Sequence, residues 1–290
     1  MIRLRRAVTA DTVFDGSAAH RDCAVVIEGS RVIWLGPRQQ LSADVPVHNV
    51  PSGCWLAPGF IDVQVNGGDD VLFNDEPSPA VIARIVAAHR RYGTTGLMPT
   101  LVSDTAEKMC TALQAAQSLP EGSGVLGIHF EGPFLSLEKA GAHNPAMIRN
   151  PTADDMGLLI SPHVGITVVT LAPEQGPAGF IAGLVEAGVR VCLGHSMATY
   201  AQTTAAMAEG LTGFTHLFNA MRPLASREPG PIAAALESTR AWFGMIVDGA
   251  HVAPAMLRLA LRGAAHPMLY GCHATGWRNQ DDVFAFRREN

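Results

Sequence analysis

The sequence is short of several features that would each have pointed to a class of protein. No apolar run approaches the roughly 20 residues that a membrane-spanning helix needs, so no transmembrane segment is expected. The N-terminus, MIRLRRAVTADTVFDG, has basic residues but no apolar stretch behind them, and so does not read as a signal peptide. The five cysteines (Cys23, Cys54, Cys110, Cys192 and Cys272) are odd in number and form no CxxC pair. That argues against a disulfide framework and a thiolate zinc site, and suits a reducing cytoplasm. Charged residues make up only 16%, with a formal net charge of -5, so neither nucleic acid nor an anionic membrane is an expected partner. No GxGxxG follows the first strand candidate of the larger segment, which removes the usual sign of a dinucleotide site.

What is present is apolar material for a large core. Of 290 residues, 48% are hydrophobic, while 29 glycines and 19 prolines are spread along the chain as turn punctuation. Residues 1–57 read as short strands and turns, with apolar runs at 24–28 and 30–36, and are expected to form a small, incomplete β-sandwich segment. From Pro58 the pattern alternates. Strand candidates fall at 59–65, 96–102, 124–130, 165–171, 189–193, 213–218 and 243–247. Amphipathic stretches lie at 80–91, 105–118, 179–187, 200–209 and 254–262. Repeated strand-then-helix predicts a parallel sheet with right-handed crossovers, and residues 58–269 are assigned to an α/β barrel. The count approaches a (β/α)₈ barrel, with a doubly wound open sheet as the alternative. The tail, 270–290, has a different composition and is set apart.

Polar residues gather at the C-terminal ends of these strands: Gln64 and Asn66, His129 and Glu131, His195, His216 and Asn219, Asp248 and His251. In a barrel those ends meet on the face where active sites are built. Two imidazoles and one carboxylate from neighbouring strand ends make an open three-ligand site suited to Zn²⁺, so Glu131, His195 and His216 are the metal candidates. Other residues have ordinary explanations. His20, His48, His89 and His163 suit surface or packing positions. Met207, Met245 and Met256 suit the core, and Arg3, Arg5 and Arg6 a solvated terminus. Asp62 suits a local hydrogen bond or a supporting place, and Asp248 the ordering of a loop near His251.

The segments PGFIDVQVNGG, HFEGPFL, KAGAHNPAM, LGHS, THLFNAM and DGAHV, in that order, resemble the N-acetylglucosamine-6-phosphate deacetylase family of the amidohydrolase superfamily. The resemblance runs from about Pro58 to His266. It implies a metal-dependent barrel that hydrolyses the N-acetyl group of N-acetylglucosamine 6-phosphate to glucosamine 6-phosphate and acetate. By the same resemblance Glu131, His195 and His216 match metal ligands, and His143 matches a residue that polarises the acetamide carbonyl. Ala142, Asn219, Ala220, Arg227 and His251 match substrate-contacting positions. Arg227 is expected to reach the phosphate across a homodimer interface. Many superfamily members carry HxH on the first strand and bind two metals. Here that place reads Gln64-Val65-Asn66, and neutral amides are poor Zn²⁺ ligands, so one divalent metal is expected. Glu/His/His also accepts Fe²⁺ or Co²⁺. An amidohydrolase of different substrate and a catalytically impaired metal- or phosphosugar-binding remnant are the alternatives.

The resemblance also implies a catalytic aspartate on an eighth strand, in a segment like LVTDAMPPVGG. After His266 this chain reads PMLYGCHATGWRNQDDVF, with no TDA, and Asp281 and Asp282 stand in a different context. Dropping the first base of the Tyr270 codon lets the following codons spell Thr-Asp-Ala and then Pro-Pro-Val-Gly-Gly. The expectation is a reading frame shifted after Leu269, a chain cut before its normal eighth strand, and a barrel with two unpaired edges. Poor solubility or low activity would follow.

Overall fold

The computed structural model describes residues 4–161, 165–263 and 269–271. The chain divides into two compact units between Phe60 and Ile61.

The first unit is one five-stranded sheet. Strands β1 (Arg5–Phe14), β2 (Ala19–Glu28) and β3 (Arg31–Pro37) form an antiparallel meander. The short strands β4 (Val47–Asn49) and β5 (Trp55–Leu56) pair with β1 in parallel. Its small core is Ala10, Val13, Cys23 and Val25, with Ile27, Leu35, Val50 and Leu56 packed against them. Among the described residues it is a single layer of the expected sandwich. Arg5 and Arg6 are exposed, as expected, but they open β1 and are not a loose terminus; Arg5 pairs with Glu28 across the strand pair.

The second unit carries an eight-stranded sheet of consecutive neighbours: β6 (Phe60–Val65), β9 (Thr94–Val102), β10 (Gly127–Glu131), β11 (Ile166–Leu171), β12 (Arg190–Leu193), β13 (Gly213–Phe214), β14 (Trp242–Met245) and β15 (Leu269–Gly271). A small ladder, β7 (Gly67–Gly68) with β8 (Val71–Leu72), follows the first of these strands. Every register given for the eight-stranded sheet is parallel. Strands β9, β10 and β11 are buried almost end to end, as parallel strands covered on both faces must be.

The helices are α1 (Pro79–Arg90), α2 (Ala106–Gln117), α3 (Ala153–Leu159), α4 (Phe180–Glu186), α5 (Tyr200–Ala208), α6 (Gly230–Glu237) and α7 (Pro254–Gly263). Their starts are written in the sequence. Ser78, Thr105, Thr152 and Thr199 each cap an N-terminus through a side-chain oxygen, and Thr152 and Thr199 form capping boxes with Asp155 and Gln202. The amphipathic pattern missed α3 and α6. The first has seven residues and the second eight, too short for a clear period, and Pro229 and Gly230 mask the start of α6. None of these helices is long and apolar enough to cross a membrane.

One expectation needs correction. The strand anticipated at 213–218 stops at Phe214, because His216, Phe218 and Ala220 adopt positive φ (36°, 80° and 48°), which no strand accommodates. In keeping with a barrel that lacks its normal eighth strand, the eighth position of the sheet holds only the three-residue β15, with Leu269 beside Phe243 and Gly271 beside Met245. Among the described residues β15 and β6 stand at the two ends of the pairing order, and nothing joins them. Of the tail expected to be frame-shifted, residues 272–290, with Asp281 and Asp282, lie outside the described residues, as does His163.

The close approach of β10 to β11 depends on Gly127. A Cβ built there would strike the backbone of Ile166, and φ is +155°. Gly127→Ala is expected to destabilise the chain by about 3 kcal/mol, through overpacking against an immovable backbone. Urea unfolding of the two forms measures it.

Candidate metal centre

Glu131 is the last residue of β10, His195 follows β12 after Gly194, and His216 lies two residues past β13. All three are buried, and each offers a ligand atom within 4.8 Å of the others. His195 Nε2 lies 3.3 Å from Glu131 Oε1 and His216 Nε2 lies 3.0 Å from it. The two Nε2 atoms are 2.9 Å apart. Among the described residues this is the one group of histidines, cysteines and carboxylates that could hold a metal ion.

The other ring nitrogens decide what these atoms are. His195 Nδ1 lies 2.7 Å from Lys139 O, and His216 Nδ1 lies 3.1 Å from Asn219 O. A carbonyl oxygen only accepts, so each Nδ1 carries the proton and each neutral ring turns a bare Nε2 lone pair to the centre. Two imidazole lone pairs and a carboxylate then face one another, which is repulsive unless a cation lies among them. The donor set therefore fits a divalent ion of the zinc kind. Where a proton on Nε2 stands in for a cation, hydrogen bonds from His195 and His216 hold the Glu131 carboxyl well below the usual range, although burial opposes its charge. Burial likewise opposes a charge on His195, but Glu131 outweighs it and raises that imidazole. In the absence of a metal a proton can take its place.

His143 comes from the loop after β10 and is buried beside the cluster. Its ring packs edge-on to His195 at 4.4 Å, and its Nε2 is 3.9 Å from Glu131 Oε2. The Ser103 backbone N–H donates to His143 Nδ1 at 3.2 Å, and Ser103 Oγ lies 2.8 Å from the same atom. Nδ1 is thus an acceptor, and the neutral ring carries its proton on Nε2, facing the centre. Burial lowers this imidazole to about 4, so it is neutral at pH 7. The site therefore combines a cation-seeking cluster with one preset N–H donor.

The backbone around the centre is strained. His195 has φ 47°, and with His216, Phe218 and Ala220 it makes up four of the seven positive-φ non-glycine residues among those described. Such strain persists where the surroundings over-determine it. Here Ser136 N donates to His195 O, Ser196 N to Ala220 O, and Asn219 N to His216 O.

The other sequence candidates are placed less closely. Asn219 supplies the carbonyl that fixes His216, and its amide Nδ2 is a buried donor without a partner among the described residues. Ala220 lies beside Ser196, next to His195. Ala142 precedes His143 and is exposed. Arg227 and His251 are also exposed, and neither is bonded to the cluster. Asp248 orders its loop as expected, accepting from the backbones of Ala250 and His251 and pairing with His251 Nδ1 at 2.5 Å. Among the residues set aside, His20 pairs with Asp15, His48 is exposed on β4, and His89 Nε2 lies 3.0 Å from Gly67 O. Met245 is in the core and Met207 packs against it.

Sequence reasoning missed Ser103, Thr170 and Glu174. Ser103 follows β9, so the strand-end rule that found the others would have found it. Glu174 accepts from Met197 N at 2.5 Å and Ser196 Oγ at 2.7 Å, holding the loop behind His195, and no local pattern announces that.

Asp62 on β6 is buried and accepts a hydrogen bond from Gln64 N at 3.1 Å. Burial, only partly offset by that bond, raises its carboxyl to about 7. The folded state then holds a proton that the unfolded chain releases above the ordinary carboxylate value of 3.8. Its contribution is complete below that value and is lost as pH rises through about 7. Asp62→Asn should therefore raise the urea midpoint clearly at pH 8 and little at pH 4. Equal effects at both would refute the assignment.

Residues 55–288 match the amidohydrolase family. An N-acetylgalactosamine-6-phosphate deacetylase from Shewanella sp. strain ANA-3 is 41% identical over 251 residues, covering 84% of this chain and 64% of its own length. The Homo sapiens N-acetylglucosamine-6-phosphate deacetylase is 43% identical over 233 residues, covering 74% of this chain and 56% of its own. Among solved structures, N-acetylglucosamine-6-phosphate deacetylase from Pasteurella multocida aligns with a TM-score of 0.86 at 31% identity, over 92% of this chain and 71% of that one. The chain thus spans less than two thirds of the length of these curated relatives.

Proposed function

The chain belongs to the amidohydrolase family, and on that footing we propose that it is built for metal-dependent removal of the N-acetyl group from N-acetylglucosamine 6-phosphate, giving glucosamine 6-phosphate and acetate. The observation that carries this is the Glu131, His195 and His216 cluster with the Nε2–H of His143 beside it. Glu131, His195 and His216 would hold one divalent ion, with Zn²⁺ the best match to two imidazoles and a carboxylate. When bound, such an ion supplies Lewis acidity, polarising an amide carbonyl and bringing the pKa of a water towards neutrality.

The chain's own residues supply the rest. His143 donates its Nε2–H to the acetamide oxygen as negative charge develops there, and Ser103 keeps the proton on that nitrogen. The unpartnered amide of Asn219 offers a donor to the sugar, with Ala142, Ala220 and His251 as further contacts. Arg227 offers planar donors to the phosphate, from the neighbouring subunit of a homodimer. The reaction is cytoplasmic and needs no nucleic acid or membrane partner.

A specific observation favours a second substrate, the galacto epimer. The Shewanella relative and one from Escherichia coli O157:H7, 38% identical over 211 residues, are N-acetylgalactosamine-6-phosphate deacetylases. The acid–base step that the resemblance gives to a TDA aspartate has no matching run in this sequence.

Zinc content and acetate release, measured together on both epimeric 6-phosphates, test the proposal. Stoichiometric zinc with acetate release from the gluco substrate is expected. Glu131→Gln should lose both. His143→Asn should keep the zinc and lose about 10²–10³ in kcat. Zinc without acetate from either sugar would mean a binding remnant, and no zinc would overturn the site.

A further inference from the structure

The fourth strand of the sheet, β11, offers no residue to the cluster, yet its Thr170 touches the support of all three candidate ligands. Thr170 is fully buried and lies opposite Glu131 in the parallel register. Its backbone oxygen accepts from Gly132 N at 3.0 Å, just past Glu131. Its hydroxyl is 2.7 Å from His129 Nε2 and 2.7 Å from Thr215 Oγ1. His129 is two residues before Glu131 on β10, and Thr215 is next to His216. The third link is steric. A Cβ placed on Gly194, the residue before His195, would lie 2.5 Å from Thr170 Cγ2 and 3.1 Å from Thr215 Cβ. Gly194 therefore sits directly on the two threonines.

The bonds have one direction. His129 Nδ1 is 3.0 Å from Val63 O, a carbonyl that only accepts, so in the neutral ring Nδ1 donates and Nε2 accepts. Thr170 must then donate its O–H to His129 Nε2, and its oxygen is left to accept the O–H of Thr215. The chain runs from Thr215, just past β13, to Thr170 on β11, His129 on β10 and Val63 on β6. Thr215 also bonds the Cys192 thiol and Thr100 Oγ1 lies 3.4 Å from His129 Nδ1, but the Thr170 hydroxyl is the donor to His129 Nε2, so removing it leaves that buried nitrogen without its donor.

We infer that Thr170 is the positioning residue of the metal centre: without contributing a ligand atom, it sets the relative heights of Glu131, His195 and His216. The inference rests on the proposal that these three hold the metal. Thr170→Val keeps the branched shape and removes the hydroxyl. Thr170→Ser keeps the hydroxyl. Thr215→Val removes the donor that Thr170 accepts and serves if Thr170→Val fails to fold. Thr203→Val is the control, a fully buried threonine on α5 whose hydroxyl, among the described residues, bonds only Thr199 O.

The test is the Zn²⁺ dissociation constant of the full chain, by competition with a chromophoric chelator, with the visible spectrum of the Co²⁺-loaded form as a second readout. Thr170→Val is expected to weaken Zn²⁺ binding about 10- to 100-fold and to alter the Co²⁺ bands. Thr215→Val should act in the same direction. Thr170→Ser should bind within about 3-fold of wild type, which is a small fraction of that effect, and Thr203→Val should match wild type. Wild-type affinity in Thr170→Val, failure of Thr170→Ser to restore binding, or an equal loss in Thr203→Val would overturn the inference. Undiminished binding in Glu131→Gln would overturn the metal site itself. Loss in Glu131→Gln but not in Thr170→Val overturns the role of Thr170 alone.

Discussion

Three electron-rich atoms are held against one another at the centre of this chain, and much of the surrounding structure serves that confrontation. Left free, two imidazole lone pairs and a carboxylate would turn away from each other or take up protons. They cannot turn, because each ring is pinned by its far nitrogen to a backbone carbonyl, His195 to Lys139 and His216 to Asn219. The fold spends its rigidity on keeping repelling acceptors together, and a cation relieves the repulsion. The left-handed backbone at His195 and His216 belongs to the same account, since local strain holds only where neighbouring contacts fix it.

The same physics gives His143 a contrary task. It lies against His195, yet its far nitrogen meets a backbone N–H where the other two meet carbonyls. That single exchange of donor for acceptor reverses the tautomer. Two rings present lone pairs to the centre, and the third presents a proton. A cation site and an oxyanion donor can therefore be built from one residue type, provided the main chain around each ring is different.

Much of the architecture was legible. Parallel strands buried on both faces read as continuous apolar runs, and capping residues mark where most of the longer helices begin, so most elements of the larger unit fall within a few residues of expectation. The failures have physical causes. Helices α3 and α6 are too short to show a period. Strand β1 alternates too weakly to stand out beside two arginines, and its pairing with β2 secures it. The run at 213–218 is as apolar as a strand, but the left-handed turn that carries His216 cuts it short.

The candidate site divides in the same way. Glu131, His195 and His216 could be named from the sequence, because strand order puts their positions on one face of a parallel sheet and their residue types suit a metal, and His143 could be named through the family resemblance. Local chain chemistry determined those identities. Which nitrogen carries the proton on His195 and His143, how close the acceptors come, and that Ser103, Thr170 and Glu174 support them depended on partners far away in the sequence. Thr170 shows the difference most plainly. In the sequence it is a threonine in an apolar strand; in the fold it lies between His129, Gly194 and Thr215. Composition and periodicity decide which face of a strand is buried, but only the packing of strand against strand decides what a buried hydroxyl touches.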